Sequence, residues 1–301
     1  MGALSKLELV SGATRLDISD VANFSWMGYA GFGMAQLHRL VMRGPQQSGE
    51  TDMGYLLEPR MIQLTIGIMG TYDNVFTKQN QLLNMCSPSN NAIGLCFTRI
   101  NAGVASQIDV FPVGGLDFAS SERGPRHVIS QLSLRAPDPT WYDPTPGYLG
   151  FGLGGGAGAW QIPWAIPWAI GASTINISSP IIYPGTADSY FYGTITGPIT
   201  NAIITFTDGV STYTLDFTGV TINAGDVRVI DTRYPMKTIV NSSAVNKNGD
   251  LTTASNLANI VIAKCLPGET THTTTVTVTG SSINAATRVD INYYNRYNAA
   301  R

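Results

Sequence analysis

The sequence is poor in cysteine, with three in 301 residues. Cys86, Cys96 and Cys265 are odd in number, and no two of them form a Cys-x-x-Cys pair. Because a disulfide framework needs paired cysteines and a structural zinc site needs closely spaced ones, the sequence predicts neither. We expect all three cysteines to be small apolar residues of the core.

Histidine is equally scarce, and His38, His127 and His272 show no His-x-x-x-His spacing, so no metal site is predicted. They are not accompanied by a nucleophile elbow, which argues against a Ser-His-Asp triad. Asp226 and Asp231 are five residues apart, which places them on opposite faces of a strand and argues against a paired-carboxylate glycosidase. We expect Asp226 in a turn and Asp231 at a strand end. The sequence therefore predicts no catalytic residue, no cofactor and no enzymatic activity.

Charge is the third deficit: charged residues make up 13% of the chain, the formal net charge is −2, and no basic block occurs. Direct nucleic-acid binding has no electrostatic basis here, although a protein can enclose DNA without binding it.

The N terminus has no apolar core of signal-peptide length, and no run of about 18 apolar residues follows it. We expect a protein that is made in a cytoplasm and does not insert into a membrane.

Glycine and proline, by contrast, are abundant, at 32 and 16 residues. Together with many short β-branched runs they favour an all-β protein, with one or two helices in its first half. The clearest strand is Arg60–Met69, in which apolar residues occupy alternate positions: Ile62, Leu64, Ile66 and Ile68. One face of this strand is predicted to lie in the core.

The best helix candidate covers residues 73–86, beginning near Tyr72, with Asp73 or Asn74 as the N-cap and Pro88 after its end. Its apolar residues recur at spacings of three, four and seven: Val75, Phe76, Leu82, Leu83 and Cys86.

The composition divides the chain into residues 1–146, a linker at 147–175, and residues 176–301. The linker contains Gly150-x-Gly152-x-x-Gly155, which matches the dinucleotide fingerprint, but glycine continues and prolines follow where a helix is required. In the last part, short strands separated by turn residues can pair only with antiparallel neighbours, which predicts a β-sandwich.

Two segments are candidates for contacts between subunits. Residues 44–54 are polar and turn-rich and predict an exposed loop, in which Gly49, Glu50 and Asp52 are the candidate contact residues. The linker repeats an Ile-Pro-Trp unit, and its three tryptophans would bury a large area by docking on a domain or a neighbouring chain. These tryptophans are Trp160, Trp164 and Trp168.

Several motifs resemble the distal tail proteins of siphovirus-type phages. In the second half these are the Tyr183-Pro184 start, the Ile195-Thr-Gly-Pro198 turn followed by Asn201, and the run from Ala224 to Asp231.

The first half carries the same resemblance in the Pro59-Arg60 strand start, the helix that ends at Ser87-Pro88, and the Asp-Pro-x-Trp-Tyr sequence that ends at Tyr142.

The resemblance implies a hexameric ring with a lumen for DNA, whose wall is formed by the N-terminal domain and whose galectin-like C-terminal sandwich projects outward. It implies as partners further copies of the chain, a tail tube protein, a tail-tip hub protein and receptor-binding proteins, in the virion at the tip of the tail. Closing a ring requires heterologous interfaces that use two different surfaces of each subunit.

Two other functions remain open. One is a tail-tube-like virion β-protein, which would polymerise into long tubes. The other is a host-glycan-binding tail or baseplate module, since sugar-binding sandwiches expose aromatic residues beside polar groups and fold alone does not transfer function. The aromatic candidates are Tyr183, Tyr190, Phe191, Tyr192, Tyr213, Tyr293, Tyr294 and Tyr297.

Overall fold

The computed structural model describes residues 5–20, 22–88, 92–99, 103–119, 124, 126–152, 174–234 and 236–301. The chain divides into two units, one of Met1–Pro144 with Tyr297–Arg301 and one of Thr145–Arg296. Both are built almost entirely of antiparallel strands, so the predicted all-β class is confirmed.

The first unit contains one long sheet, one separate hairpin and one helix. Its elements are β1 (Ser5–Ser11), β2 (Thr14–Asp17), β3 (Phe24–Ala30), β4 (Leu37–Met42), β5 (Thr51–Leu57), β6 (Arg60–Met69), α1 (Tyr72–Met85), β7 (Ile93–Arg99), β8 (Val104–Gly115), β9 (His127–Ala136) and β10 (Trp141–Tyr142). The long sheet has the order β2-β1-β7-β8-β9-β6-β3.

The strand predicted at Arg60–Met69 is β6, and it pairs with β9 on one side and β3 on the other. Its four alternate apolar residues are buried, at 0 or 1% exposure, as the period-two pattern predicted. They belong to one core with residues of β1, β7, β8 and β9.

Helix α1 forms where it was predicted, but its cap and its buried face differ from the prediction. The N-cap is Thr71, in extended backbone and without a side-chain cap hydrogen bond, so Asp73 and Asn74 are not caps. Asp73 lies in the first turn, where a carboxylate favours the helix dipole. Phe76 and Leu83 are 40% and 44% exposed, because the helix turns a narrower face to the sheet than its apolar composition suggests. That face consists of Val75, Gln79, Leu82 and Met85.

The second unit is a sandwich of two sheets. Its elements are β11 (Gly147–Gly152), β12 (Thr174–Tyr183), β13 (Phe191–Thr196), β14 (Ile199–Thr207), β15 (Thr212–Asp216), β16 (Thr221–Ile222), β17 (Val227–Asp231), β18 (Thr238–Asn241), β19 (His272–Ser281) and β20 (Arg288–Tyr293). The chain continues into β21 (Arg296–Tyr297), whose second residue belongs to the first unit. One sheet has the order β11-β20-β13-β17-β18, and the other has the order β12-β19-β14-β15 with β16 beside β14. Their inner faces share one core, in which Phe191 of the first sheet stacks on Phe206 of the second at 4.6 Å.

Two boundaries differ from the prediction. Residues 147–152, assigned to an irregular linker, form β11 and pair along their whole length with β20. Leu149 and Phe151 contact the core, and they alternate with Gly150 and Gly152, which face outward. This is the pattern of a strand, but the high glycine content made it hard to recognise. The rest of the glycine-rich and Ile-Pro-Trp linker, with Trp160, Trp164 and Trp168, lies outside the described residues.

The second difference is at the C terminus. Residues 176–301 were predicted to form the sandwich, but its strand β20 ends at Tyr293, and the following β21 pairs with β10. Tyr297–Arg301 therefore belongs to the first unit and not to the domain at 176–301. The reason is the burial of Tyr297, which is 3% exposed in the core of the first unit.

Candidate functional site

The strongest candidate for a functional surface is the hairpin of β4 and β5, defined as Leu37–Met42 and Thr51–Leu57 with the loop between them. Its two strands form a sheet of their own, and they pair with no further strand in the part of the chain that the structure describes. Two strands alone are marginally stable in water. The hairpin therefore depends on its loop, its cross-strand contacts and whatever covers it.

The structure brings the candidate residues of the loop together at the far end of this hairpin. Gly49 has φ +88°, a left-handed conformation that favours glycine, and Glu50 is exposed beside it. Asp52 lies on β5, and its carboxylate accepts a hydrogen bond from the guanidinium of Arg39 at 2.5 Å. Asp52 thus holds the two strands of the hairpin together, although an exposed ion pair of this kind contributes only about 0 to 1 kcal/mol.

Sequence reasoning missed the residue that orders the loop, which is Gln47. Its side-chain oxygen accepts a hydrogen bond from the backbone N–H of Gly44 at 2.9 Å, and its amide nitrogen donates to Thr51 Oγ1 at 2.9 Å. Arg43 Nε donates to its backbone carbonyl at 3.3 Å. No local pattern marks a glutamine for this role, because both partners depend on how the loop closes.

Sequence reasoning also missed the apolar surface of the hairpin. Six large apolar side chains are between 39% and 60% exposed, which is the property of a surface that another molecule covers. They are Leu40, Val41, Met42, Met53, Tyr55 and Leu56. The signal was present in the sequence, since apolar residues flank the polar loop on both sides.

Groups that could carry chemistry are dispersed. The described residues contain no cluster of three His, Cys, Asp or Glu side chains that could hold a metal ion. In the first unit His38 Nδ1 lies 3.7 Å from Glu58 Oε1, and in the second unit His272 Nδ1 lies 3.0 Å from Glu269 Oε2. Each therefore lies beside one carboxylate and not within a set of metal ligands.

The carboxylates and cysteines largely follow the prediction. Asp226 lies in a turn, with its N–H donating to the carbonyl of Asn223, and Asp231 at the end of β17 accepts hydrogen bonds from Arg233. Cys86 and Cys96 are buried as predicted, whereas Cys265 is only half-buried and was wrongly expected in the core.

Among the described residues, no helix is both long and apolar enough to span a bilayer.

No protein-family model and no curated protein sequence matches the chain. Solved structures do match. The SPP1 Dit protein, described as a paradigm of the hub adsorption apparatus in phages that infect Gram-positive bacteria, aligns with a TM-score of 0.59 and 12% identity. The alignment covers 96% of this chain and 98% of that one.

Chains of the phage P2 baseplate in its activated conformation are similar as well. The form with Ca aligns with a TM-score of 0.52 and 12% identity over 96% of this chain and 97% of that chain. The form with Sr aligns with a TM-score of 0.51 and 12% identity over 95% and 97%. The fold is thus shared over nearly the whole length of each chain, and the predicted resemblance is confirmed at the level of the fold.

Proposed function

We propose that this chain is a structural, non-enzymatic subunit of a phage tail tip, and that it assembles into a ring. In this proposal the ring is a hexamer that joins the tail tube to the tail-tip hub, carries the receptor-binding apparatus, and leaves a lumen for DNA. The observation that carries the proposal is the full-length similarity of fold to a Dit protein and to baseplate chains, at 95 to 96% coverage of this chain.

The hairpin of β4 and β5 supports assembly independently of that similarity. A closed ring requires each subunit to present one surface to the next subunit and a different surface to the previous one. The hairpin extends six large apolar side chains that its own sheet leaves exposed. We assign to it one half of the interface, with Gly49 and Glu50 of the loop at its edge.

The absence of a strong charge pattern fits a subunit that encloses DNA. The net charge of −2 and the lack of a basic block give the chain no general attraction for phosphates. A channel that passes DNA must let it slide, and a surface without clustered lysine and arginine does not retain it.

The first test is the particle mass and outline of the purified chain, by light scattering and negative-stain microscopy. We expect closed rings, and a double substitution of Val41→Asp and Leu56→Asp should convert them to monomers with an unchanged melting temperature. The matched control is Ile182→Asp, an equally exposed apolar residue on β12 of the second unit, which should leave the rings intact.

Two outcomes would contradict the proposal. A monomer at tens of micromolar would mean that the chain does not form a ring alone, and open tubes would favour the tail-tube-like alternative. Rings that survive the double substitution would remove the hairpin from the interface and leave the ring itself in place.

A further inference from the structure

The outer face of one sheet of the sandwich carries an ordered row of polar and aromatic side chains. The alternation of β13 and β20 turns Phe191, Ile195 and Ile291 into the core, so that their neighbours in the chain face outward. We call this surface the outer face and define it by the outward residues of four adjacent strands: Tyr148, Arg288, Asp290, Asn292, Tyr192, Thr194, Asp231 and Val229.

The strand registers align four of these residues in one row. Tyr148 of β11 lies opposite Asn292 of β20, which lies opposite Tyr192 of β13, which lies opposite Asp231 of β17. Because neighbouring strands are about 4.8 Å apart, the row is about 14 Å long. That length suits a ligand of two or three sugar rings.

Tyr148 is held in place at one end of the row and still presents its ring to solvent. Its hydroxyl donates to the Asp290 carboxylate and accepts a hydrogen bond from the Arg288 guanidinium at 2.5 Å. Its ring extends over Gly150, where a Cβ atom would come within 2.3 Å of the tyrosine oxygen. The side chain is 53% exposed, so a fixed aromatic surface is available without further loss of rotamer freedom.

Asn292 lies between the two tyrosines of the row. Its side chain makes no hydrogen bond to any residue that the structure describes, although an amide offers two donor hydrogens and one acceptor oxygen. A free amide between two aromatic residues is the kind of group that orients a polar ligand in an otherwise apolar contact.

The charges of the outer face compensate one another. Arg288 Nε donates to Asp290 at 2.7 Å, and Arg233 donates to Asp231 at 2.9 and 2.6 Å while its guanidinium lies 4.5 Å from the centre of the Tyr192 ring. Each arginine thus has its own carboxylate, and no net charge is left to attract an anion. The fixed donors and acceptors suit hydroxyl groups, which both donate and accept.

We infer that the outer face is a binding site for a neutral oligosaccharide, in which a sugar ring lies on Tyr148 and hydroxyl groups bind Asn292, Asp290 and Arg288. This site does not depend on ring assembly, since all of its residues belong to the second unit. It also explains the glycine at position 150, because Gly150 gives Tyr148 the space it occupies.

Most of the aromatic candidates from the sequence lie elsewhere. Tyr183, Phe191 and Tyr297 are buried in the two cores, while Tyr192 contacts Tyr294 in a stacked pair at 6.0 Å on the outer side. Tyr148 was not among the candidates, because its segment was assigned to the linker.

The test is binding of four neutral probes to the full chain, by saturation-transfer NMR and calorimetry. The probes are lactose, maltotriose, cellotriose and triacetylchitotriose, with an array of neutral glycans as a wider screen. We expect at least one to bind, and Asn292→Ala and Tyr148→Ala should each weaken it by tenfold or more. Tyr148→Phe keeps the ring and removes the hydroxyl, and should give a smaller loss.

The matched control is Tyr72→Ala, an exposed tyrosine of α1, which should leave binding unchanged. Melting temperatures of all variants separate loss of binding from loss of fold. No binding of any neutral glycan, or binding that Asn292→Ala leaves intact, would overturn the inference. So would stronger binding to heparin than to every neutral probe, because that result requires an anion site. Light scattering on the same samples reports ring assembly separately.

Discussion

The guanidinium of Arg60, the first residue of β6, donates a hydrogen bond at 2.8 Å to the carbonyl oxygen of Asn298, which lies 238 residues later in the chain. Arg60 is 3% exposed, and it also donates to the carbonyl oxygens of Pro139, Gly31 and Gly33. One buried side chain thus binds four carbonyl oxygens in three separate segments of the first unit. The cost of burying it is visible in its pKa, which desolvation lowers from the ordinary arginine value.

Replacing Arg60 with alanine should destabilise the first unit by roughly 3 kcal/mol, because several buried carbonyl groups lose their partner at once. Arg60→Lys should lose most of that stability too, since an ammonium group cannot reach all the carbonyls that the planar guanidinium reaches. The measurement is urea unfolding. The control is Arg99→Ala, an exposed arginine whose loss should change the free energy of unfolding by less than about 0.5 kcal/mol. Equal urea midpoints for Arg60→Ala and Arg99→Ala would show that Arg60 does not hold the first unit together.

Removing Tyr297–Arg301 should destabilise the first unit and leave the sandwich folded. The deletion takes away the buried ring of Tyr297, the hydrogen bond from Ala300 N–H to the Phe32 carbonyl, and the hydrogen bond from Arg301 N–H to Ser106 Oγ. Hydrogen exchange should therefore accelerate in β6 and β10, with β13 and β19 unchanged. Deleting Arg301 alone is the control and should have a small effect. If hydrogen exchange accelerated equally in both units, Tyr297–Arg301 would not stabilise the first unit in particular.

Gly193→Ala should destabilise the sandwich by about 2 kcal/mol or more. A Cβ atom at this position in the middle of β13 would lie 2.1 Å from the carbonyl oxygen of Asp290 on β20, and neither strand can move without breaking pairs. Gly249→Ala is the matched control, since a Cβ atom there meets no atom within 4 Å. The measurement is thermal unfolding, in which Gly193→Ala should melt at a lower temperature than Gly249→Ala. Similar melting temperatures would show that β20 can move aside.

The stability of the first unit should fall as the pH rises above about 9. Burial raises the pKa of the Cys86 thiol from 9.0 to about 11, so the folded state holds its proton more tightly than the unfolded state. The contribution of the protonated Cys86 thiol to the free energy of unfolding is fully present below pH 9 and is lost between about pH 9 and 11. It amounts to at most roughly 2 to 3 kcal/mol. Urea unfolding at pH 8 and pH 10.5 measures the loss. Cys86→Ala should reduce the difference, and an equal difference in that variant would assign it to other groups.

Part of the fold follows from the sequence because some patterns are local. The alternation of Ile62, Leu64, Ile66 and Ile68 predicts a strand with one buried face, and the structure contains that strand. The spacing of Val75 and Leu82 predicts α1 to within one or two residues. The exposed loop predicted at 44–54 was right only up to Glu50, because Thr51 already begins β5 and pairs with Met42.

Other features were missed because their partners are distant in the sequence. The strand β11 looked like a linker, since three of its six residues are glycine and only pairing with β20 makes it regular. The exposed apolar side chains of the hairpin were not singled out, because the sequence does not say which face of a strand another element covers.

The sequence by itself determined the all-β class and the position of the helix, since these depend on residue type and short-range periodicity. The tertiary structure alone decided that Asn298 contacts Arg60, and that Asn292 lies between Tyr148 and Tyr192. The neighbours of Asn292 are set by the register of strands that are far apart in the chain, and register is fixed by burial of whole faces and not by any short run of residues.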